Sequence, residues 1–563
     1  MVRPWPIGLY ALVIVCAAAC VGDHSEPEIA THVDDWRDEV IYQIVVDRFA
    51  NGDPSNDSIG GVGTVAGDLA RYQGGDWSGI TEQLDYLDAL GVTTLWISPI
   101  NANVERTDYQ DGYHGYWASD FTTLNPHFGD LAELRKLVDS VHARGMKIIV
   151  DIVANHTGRV FYYDLDADRS PDDGELEPAF LGTRAPPGQI EWLVAPPRLF
   201  VRDDDDAQPV ATPLAATHFH RHGQTTDGSQ MQKQLGDFPT GLRDLDTEND
   251  YVVGGLIDTF THWVELTDVD GFRLDAIPHA PHEFWREFAQ GVRRRLESLG
   301  KRRFLLLGEV FDGDPARLAS YTSDGGLDSV FDFTFKLSAV DGFVFDGKPA
   351  VHAAAALSSA AEHYPSSGHR GGVGLSPWQA RVTFASNHDV PRLRYWLDDP
   401  WAAELAMTMV FTAGGIPSVY YGTEQEFRGG WGNAAREPLW QSGFRRDTRM
   451  FRHLAKLAAI RRQSRALRRG DLTVRYASEI TARTSGAGAG LLVWERHIDG
   501  DRALIAINGH PTDNATARVC TGFATGDVLA NFLADGDRVV VDADGCVDIE
   551  LKPRRASILL LTR

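Results

Sequence analysis

Eight short runs of apolar and β-branched residues recur along the chain, separated by stretches whose apolar residues fall at helical spacing. The runs are VIYQIVVDRF (40–49), TTLWISP (93–99), KIIVDIV (147–153), DGFRLD (270–275), FLLLGE (304–309), LDSVFDF (327–333), RVTFASN (381–387) and IPSVYYG (416–422). Short apolar runs without polar alternation read as strands buried on both faces. The intervening DLAELRKLVDSVHARG (130–145) and HEFWREFAQGVRRRLESLG (282–300) have the 3.6-residue period of amphipathic helices. Strand–helix alternation builds a parallel sheet, and eight repeats close it. The expected fold is therefore α/β, a (β/α)8 TIM barrel over 38–156 and 250–468.

One segment breaks the rhythm. Residues 157–249 are rich in Pro, Gly and Asp (SPDDGELEP, RAPPG, VRDDDDAQP) and have no clean helical period. So long a structureless loop is improbable in a compact domain, so an inserted domain after strand three is expected. The run Asp203 to Asp206 within it reads as a solvated loop. After about residue 469 the pattern becomes strand-like alternation (LTVRYA, GLLVWER, RALIAING, RVVVDADG, ASILLLTR), which predicts an antiparallel β-sandwich domain over 469–563.

At 563 residues the chain is long enough for two or three domains, and its net charge of −25 disfavours nucleic acid and anionic membranes as partners. A neutral polysaccharide suits that charge. The N-terminus reads as an export signal: Arg3, an apolar stretch from Ile7 to Val15 too short to span a bilayer, then small residues before Cys20. This is similar to a bacterial lipoprotein signal, with residues 1–19 removed, a lipid anchor on Cys20 and a tether over 20–37; plain secretion after Ala19 is the alternative. Cys520 and Cys546 are open between a disulfide and two thiols.

Three carboxylates sit at the ends of predicted strands: Asp275 in GFRLDAIPH (271–279), Glu309 in GEVF (308–311) and Asp389 in FASNHD (384–389). The C-terminal edges of barrel strands are where such folds keep their chemistry. Retaining glycoside hydrolysis needs two carboxylates roughly 5 Å apart, one as nucleophile and one as acid/base. Arg273 lies two residues before Asp275 and so shares its face of the strand.

With DIVANH (151–156), GLRDLD (241–246) and DGYHGYW (111–117) added, the chain resembles the α-amylase family of glycoside hydrolases, in order and over roughly residues 38–563. The resemblance implies Asp275 as nucleophile, Glu309 as acid/base and Asp389 as a sugar-holding carboxylate. It implies substrate contacts from Arg273, His114, Tyr116, His388 and His156, with Asp151 supporting the barrel floor and Arg273. It also implies Ca²⁺ held by Asn155, Asp244 and the backbone carbonyl of His279, all hard oxygens. NGDPSND (51–57) and GGDW (74–77) are similar to the N-terminal calcium loop of cyclodextrin glucanotransferases, which points to Asn51, Asp53, Asn56, Asp57, Gly74 by its carbonyl, and Asp76.

The resemblance has two departures. Pro278 stands before His279 where many starch-acting relatives carry a sugar-contacting Lys. A single β domain follows the barrel, which points away from raw-starch binding and from typical cyclodextrin glucanotransferases. The expected function is exported, retaining cleavage of α-1,4-glucans such as starch, glycogen or maltooligosaccharides. The alternatives are an α-glucan transglycosylase or cyclomaltodextrinase-like hydrolase on the same scaffold, and a non-catalytic glucan-binding lipoprotein.

Overall fold

The computed structural model describes residues 27–204, 207–486, 488–534 and 537–562. The signal segment and Cys20 lie outside the described residues, as do Asp205 and Asp206; Asp203 and Asp204 are exposed.

All eight apolar runs form strands: β1 (Ile41–Ile44), β2 (Thr94–Ile97), β3 (Lys147–Ile152), β4 (Gly271–Leu274), β5 (Leu305–Gly308), β6 (Ser329–Val330), β7 (Val382–Phe384) and β8 (Ile416–Tyr420). They make one parallel sheet in the order β6-β5-β4-β3-β2-β1-β8-β7. The two ends of that order meet through a single parallel bridge, Phe331 to Val382, so the barrel is nearly closed. Most strand residues are apolar because one face packs inside the barrel and the other under helices. Helix α1 (Leu131–Ala143) starts with a capping box between Asp130 and Glu133 and buries Leu134, Leu137, Val138 and Val141. Helices α2 (Asp250–Thr267) and α3 (His282–Ser298) also bury their apolar residues, and the Trp285 indole of α3 donates to the Ile277 carbonyl in the turn after β4. That bond ties the outer helix layer to the turn that carries Asp275.

Between β3 and α2 the chain forms two small hairpins, Phe161–Tyr163 with Ile190–Trp192 and Arg198–Val201 with Val210–Pro213. Beside the first pair, Arg243 is fully buried and donates to Asp237, to the Phe161 carbonyl and to the Leu176 carbonyl. The segment combines this satisfied cation with an aromatic cluster of Phe161, Tyr163, Trp192 and Phe219.

The C-terminal segment contains β9 (Asp471–Ala477), β10 (Leu491–Ile498), β11 (Asp501–Asn508), β12 (Ala515–Cys520), β13 (Val528–Asn531), β14 (Arg538–Val540), β15 (Cys546–Leu551) and β16 (Arg555–Leu561). An antiparallel sheet of order β9-β10-β11-β16-β13-β14 faces a β12-β15 ribbon. Period-two alternation divides β10 and β11. Leu492, Trp494, Ile505 and Ile507 join the main core, while Leu491, Val493, Leu504 and Ala506 pack with ribbon residues such as Val519 and Val547 in a second cluster. Cys520 and Cys546 oppose each other on the ribbon and form a disulfide.

The structure corrects one expectation. Residues 30–37 are docked on the barrel instead of forming a tether. Val33 and Trp36 are buried, the Trp36 indole donates to the Arg303 carbonyl, and Lys301 donates to the Ala30 carbonyl. Burying an aromatic side chain of that size stabilises the docked arrangement.

Gly308, the last residue of β5, faces Leu327 so closely that an added Cβ would sit 2.4 Å from its Cδ1. Gly308→Ala should cost about 1–3 kcal/mol through overpacking, read as a lower thermal midpoint. An unchanged midpoint would show that this wall yields freely.

Candidate active site

Register alone brings the charged groups together. Arg273 on β4 is the direct neighbour of Asp151 on β3, and Leu274 pairs with Gly308 on β5. The residues that follow that pair are Asp275 and Glu309, so they leave adjacent strands side by side. Their amides bond back to the preceding strands, Asp275 to the Ile152 carbonyl and Glu309 to the Leu274 carbonyl. Ala276 then takes a left-handed backbone (φ 51°), a strained conformation for a residue with a Cβ, and turns the chain into Ile277–His279.

Arg273 is fully buried. Its Nη1 donates to both Asp151 oxygens (3.0 and 3.1 Å) and to Asp275 Oδ1 (2.8 Å). Its Nη2 lies 2.9 Å from Glu309 Oε2, but without hydrogen-bond alignment. Asp151 also accepts from the Tyr116 hydroxyl and the Trp96 indole. Every Asp151 partner is a donor, so it acts only as an acceptor, although burial pushes its carboxyl up to about 7. Burial also pushes Glu309 up to about 8, with Asp275, Asp389 and Asp151 adding to the rise and Arg273 opposing it.

A second network holds Asp389. Burial alone would raise its carboxyl, but His388, Arg436 and Arg273 together hold it well below the usual carboxylate range. His388 Nε2 lies 3.0 Å from Asp389 Oδ2, while Gln43 on β1 donates to His388 Nδ1 at 2.6 Å. Gln43 therefore selects the tautomer that aims a donor at Asp389. Arg436 reaches Asp389 Oδ1 at 3.3 Å, donates to the His388 carbonyl, and bonds the Tyr113 hydroxyl. His114 accepts from the Tyr116 amide through Nδ1, which leaves its Nε2 as a donor. Burial lowers the pKa of both His114 and His388, so each works as a neutral donor.

Asp275, Glu309, Asp389, His388, Arg436, His114 and Tyr116 line one cavity of about 680 Å³, together with His156, Pro278, His279, Lys233, Phe238, Leu242, Phe311 and Asn433. All the proposed catalytic and substrate-contacting residues line it except Arg273, which lies beneath. His156 Nε2 and His279 Nδ1 are buried without partners, ready for a ligand. Beside Pro278 the structure restores a cation: Lys233, on the short helix Gln230–Leu235, lines the same wall, and Gln230 donates to the Pro278 carbonyl. Sequence reading missed Gln43, Lys233 and Arg436, which sit on a strand interior, an insert helix and a loop without any motif.

The calcium candidates split into two places. Asn155 donates to Asp244 (3.1 Å), the chain segments pair at His156 and Asp244, and Asn155 Oδ1 is buried with no partner. An unpartnered buried amide oxygen beside a carboxylate, in the turn between β3 and the inserted segment, fits a hard cation. Asp244 also pairs with His220. In the N-terminal loop Asn51 donates to Asp57, and an added Cβ on Gly74 would meet both. Asn51 Oδ1 and Asn56 Oδ1 are buried and unpartnered, which again fits calcium. Asp53 accepts from the Ser55 amide at the loop edge, while Asp76 spends its oxygens on the Gly52, Asp53 and Gly79 amides and caps the following helix.

This barrel, with an arginine-linked carboxylate cluster at its C-terminal edge, has the architecture of a glycoside-processing enzyme. Residues 43–443 match the α-amylase catalytic domain, and the chain belongs to the α-amylase family. It is 31% identical to an α-amylase of Streptomyces lividans over 547 residues, covering 87% of this chain and 57% of that protein. It spans between 38% and 65% of the length of the first three curated relatives. Among solved structures an Anoxybacillus α-amylase superposes with a TM-score of 0.71 at 30% identity, over 94% of this chain and 99% of that one. CldA, a cyclomaltodextrin glucanotransferase with a three-domain ABC arrangement, superposes with a TM-score of 0.73 at 25% identity, over 93% and 99%.

An ion bound only by the folded state at a hundredfold excess over its Kd adds about 2.7 kcal/mol. Chelation should therefore lower the thermal midpoint, and added calcium should restore it; a midpoint indifferent to chelator would remove calcium from both loops.

Proposed function

We propose that this protein is an exported, calcium-binding hydrolase that cleaves α-1,4-glucosidic bonds with retention of configuration. The observation that carries this reading is the unequal grip of Arg273 on its two neighbours. It hydrogen-bonds Asp275 as a carboxylate, while Glu309, buried and only contacted off-axis, holds a proton near neutral pH. Two carboxyls held by one guanidinium are close together, which favours the roughly 5 Å spacing of retention over the wider inverting one.

In this mechanism Asp275 attacks the anomeric carbon while Glu309 gives its proton to the departing glycosidic oxygen. Water then gives a proton back to Glu309 and displaces Asp275. Asp389, kept charged by Arg436 and His388, accepts hydrogen bonds from sugar hydroxyls as the ring flattens. His114, His156 and His388 present neutral N–H groups, and Tyr116 offers a ring face within the same cavity. Calcium at Asn155, Asp244 and the His279 carbonyl would pin the inserted segment against the barrel and take no part in the bond changes. The Cys520–Cys546 disulfide supports the export reading.

The second reading, transfer of the glycosyl group to a sugar hydroxyl, has support from CldA, a cyclomaltodextrin glucanotransferase that superposes over 93% of this chain. Which group intercepts the glycosyl-enzyme depends on the wall formed by Pro278, Lys233 and Phe311.

Incubation with soluble starch should give short linear oligosaccharides of α configuration; cyclic or longer products would move the assignment to transfer, and none would leave only binding. Glu309→Gln should lower kcat by about 10²–10⁴-fold, with Asp275→Asn at least as damaging. Because Glu309 must be protonated to act as acid, kcat/KM should fall as pH rises through about 8. A profile flat to pH 10 would contradict the assignment of Glu309 as the acid.

A further inference from the structure

A group of carboxylates in the inserted segment lies apart from both calcium loops considered above. Residues 164–175 read Asp-Leu-Asp-Ala-Asp-Arg-Ser-Pro-Asp-Asp-Gly-Glu. Numbered from Asp164, oxygen donors fall at positions 1, 3, 5, 7, 9 and 12, the spacing of a twelve-residue EF-hand calcium loop ending in a bidentate Glu. Ligand-capable oxygens of Asp164, Asp166, Asp168 and Glu175 all lie within 4.8 Å of one another. Asp164 and Glu175 are 6% and 5% exposed. Glu175 Oε1 accepts from the Leu165 amide at 2.6 Å, but Oε2 is buried with no partner. Among the described residues no Lys, Arg or His forms an ion pair with any of the four. Arg169, inside the loop, turns its side chain away toward Glu191.

The backbone also follows the loop. At position 6, where EF-hands require a sharp turn and use Gly, Arg169 adopts φ 60°. At position 9, Asp172 accepts from the Glu175 amide and so caps the short helix that carries the last ligand. The flanking elements differ from an EF-hand, since the loop leaves a strand, Phe161–Tyr163, instead of a helix.

We propose that residues 164–175 form a calcium site of EF-hand type, with side-chain ligands from Asp164, Asp166, Asp168 and Glu175 and the Ser170 carbonyl at position 7. Hard carboxylate oxygens in this number select calcium over transition metals, and the long flexible loop suits calcium better than magnesium. The site connects to the cleft wall. Leu176, next to Glu175, accepts from buried Arg243 through its carbonyl, and Glu177 pairs with Arg159, which donates to the Thr240 carbonyl. Thr240 and Leu242 line the large cavity. Calcium here fixes that wall, so its loss raises KM more than it lowers kcat.

The test counts calcium ions bound per chain by equilibrium dialysis on the full-length protein and on Asp166→Asn/Glu175→Gln. Both substitutions keep shape, and the amide oxygen introduced by Glu175→Gln can still accept from the Leu165 backbone N–H. The variant should bind one calcium fewer, and terbium luminescence sensitised by the adjoining Tyr162 and Tyr163 should drop by about one site's share. An unchanged count with unchanged luminescence overturns the proposal, as does a site filled equally well by magnesium alone. If the double variant does not fold, Asp168→Asn, at an exposed position, should weaken binding at one site by about tenfold or more, and unaltered affinity again overturns it. The count does not depend on catalysis, so its failure is separate from that of the proposed function.

Discussion

The cleft is organised around one buried cation. Taking a guanidinium out of water costs several kcal/mol even after relaxation, and only well-placed opposite charges offset it. Arg273 has three carboxyls within contact: Asp151, Asp275 and Glu309. The faces of Trp96 and Tyr116 lie nearby, 5.4 and 5.8 Å from its Cζ. Removing Arg273 would strand buried charge at Asp151, and removing Asp151 would release the arginine from the geometry that faces it toward Asp275. Parallel register is what makes the set possible, because Arg273 and Asp151 are direct cross-strand neighbours.

The distribution of protonation follows from directions, not only distances. The arginine's Nη1 aligns with Asp151 and Asp275, while its approach to Glu309 is close but misaligned. Charge is favoured where donors aim, and the proton collects on the remaining buried carboxyl. Asp389 stands outside this division because it has its own cation, Arg436, together with His388, whose tautomer Gln43 selects. Strand β1, through His388, and the loop after β8, through Arg436, thereby support the cavity that Asp275 and Glu309 line.

Much of the barrel was legible because its strands are buried on both faces and so read as short, mostly apolar runs. Asp275 and Glu309 were legible because each directly follows such a run, and Asp389 because it comes five residues after Phe384. Arg436, Gln43 and Lys233 were not, since their roles arise from contacts between segments far apart in the chain, such as Arg436 with Asp389 or Lys233 beside Pro278. Residues 30–37 looked like a polar leader, yet Trp36 packs at the barrel. The acidic loop at 164–175 escaped notice because its last ligand lies beyond a Pro-Asp-Asp stretch that reads as solvated. Only folding turns Glu175 inward.

The central claim is that the buried cation hydrogen-bonds the Asp275 carboxylate while leaving a proton on Glu309. Neutron diffraction from crystals of the ligand-free protein, exchanged into D₂O at pH 7, would display that proton directly. The account predicts a deuteron on Glu309 and a bare Asp275 carboxylate hydrogen-bonded to Arg273. A deuteron on Asp275, or a bare Glu309, would contradict it.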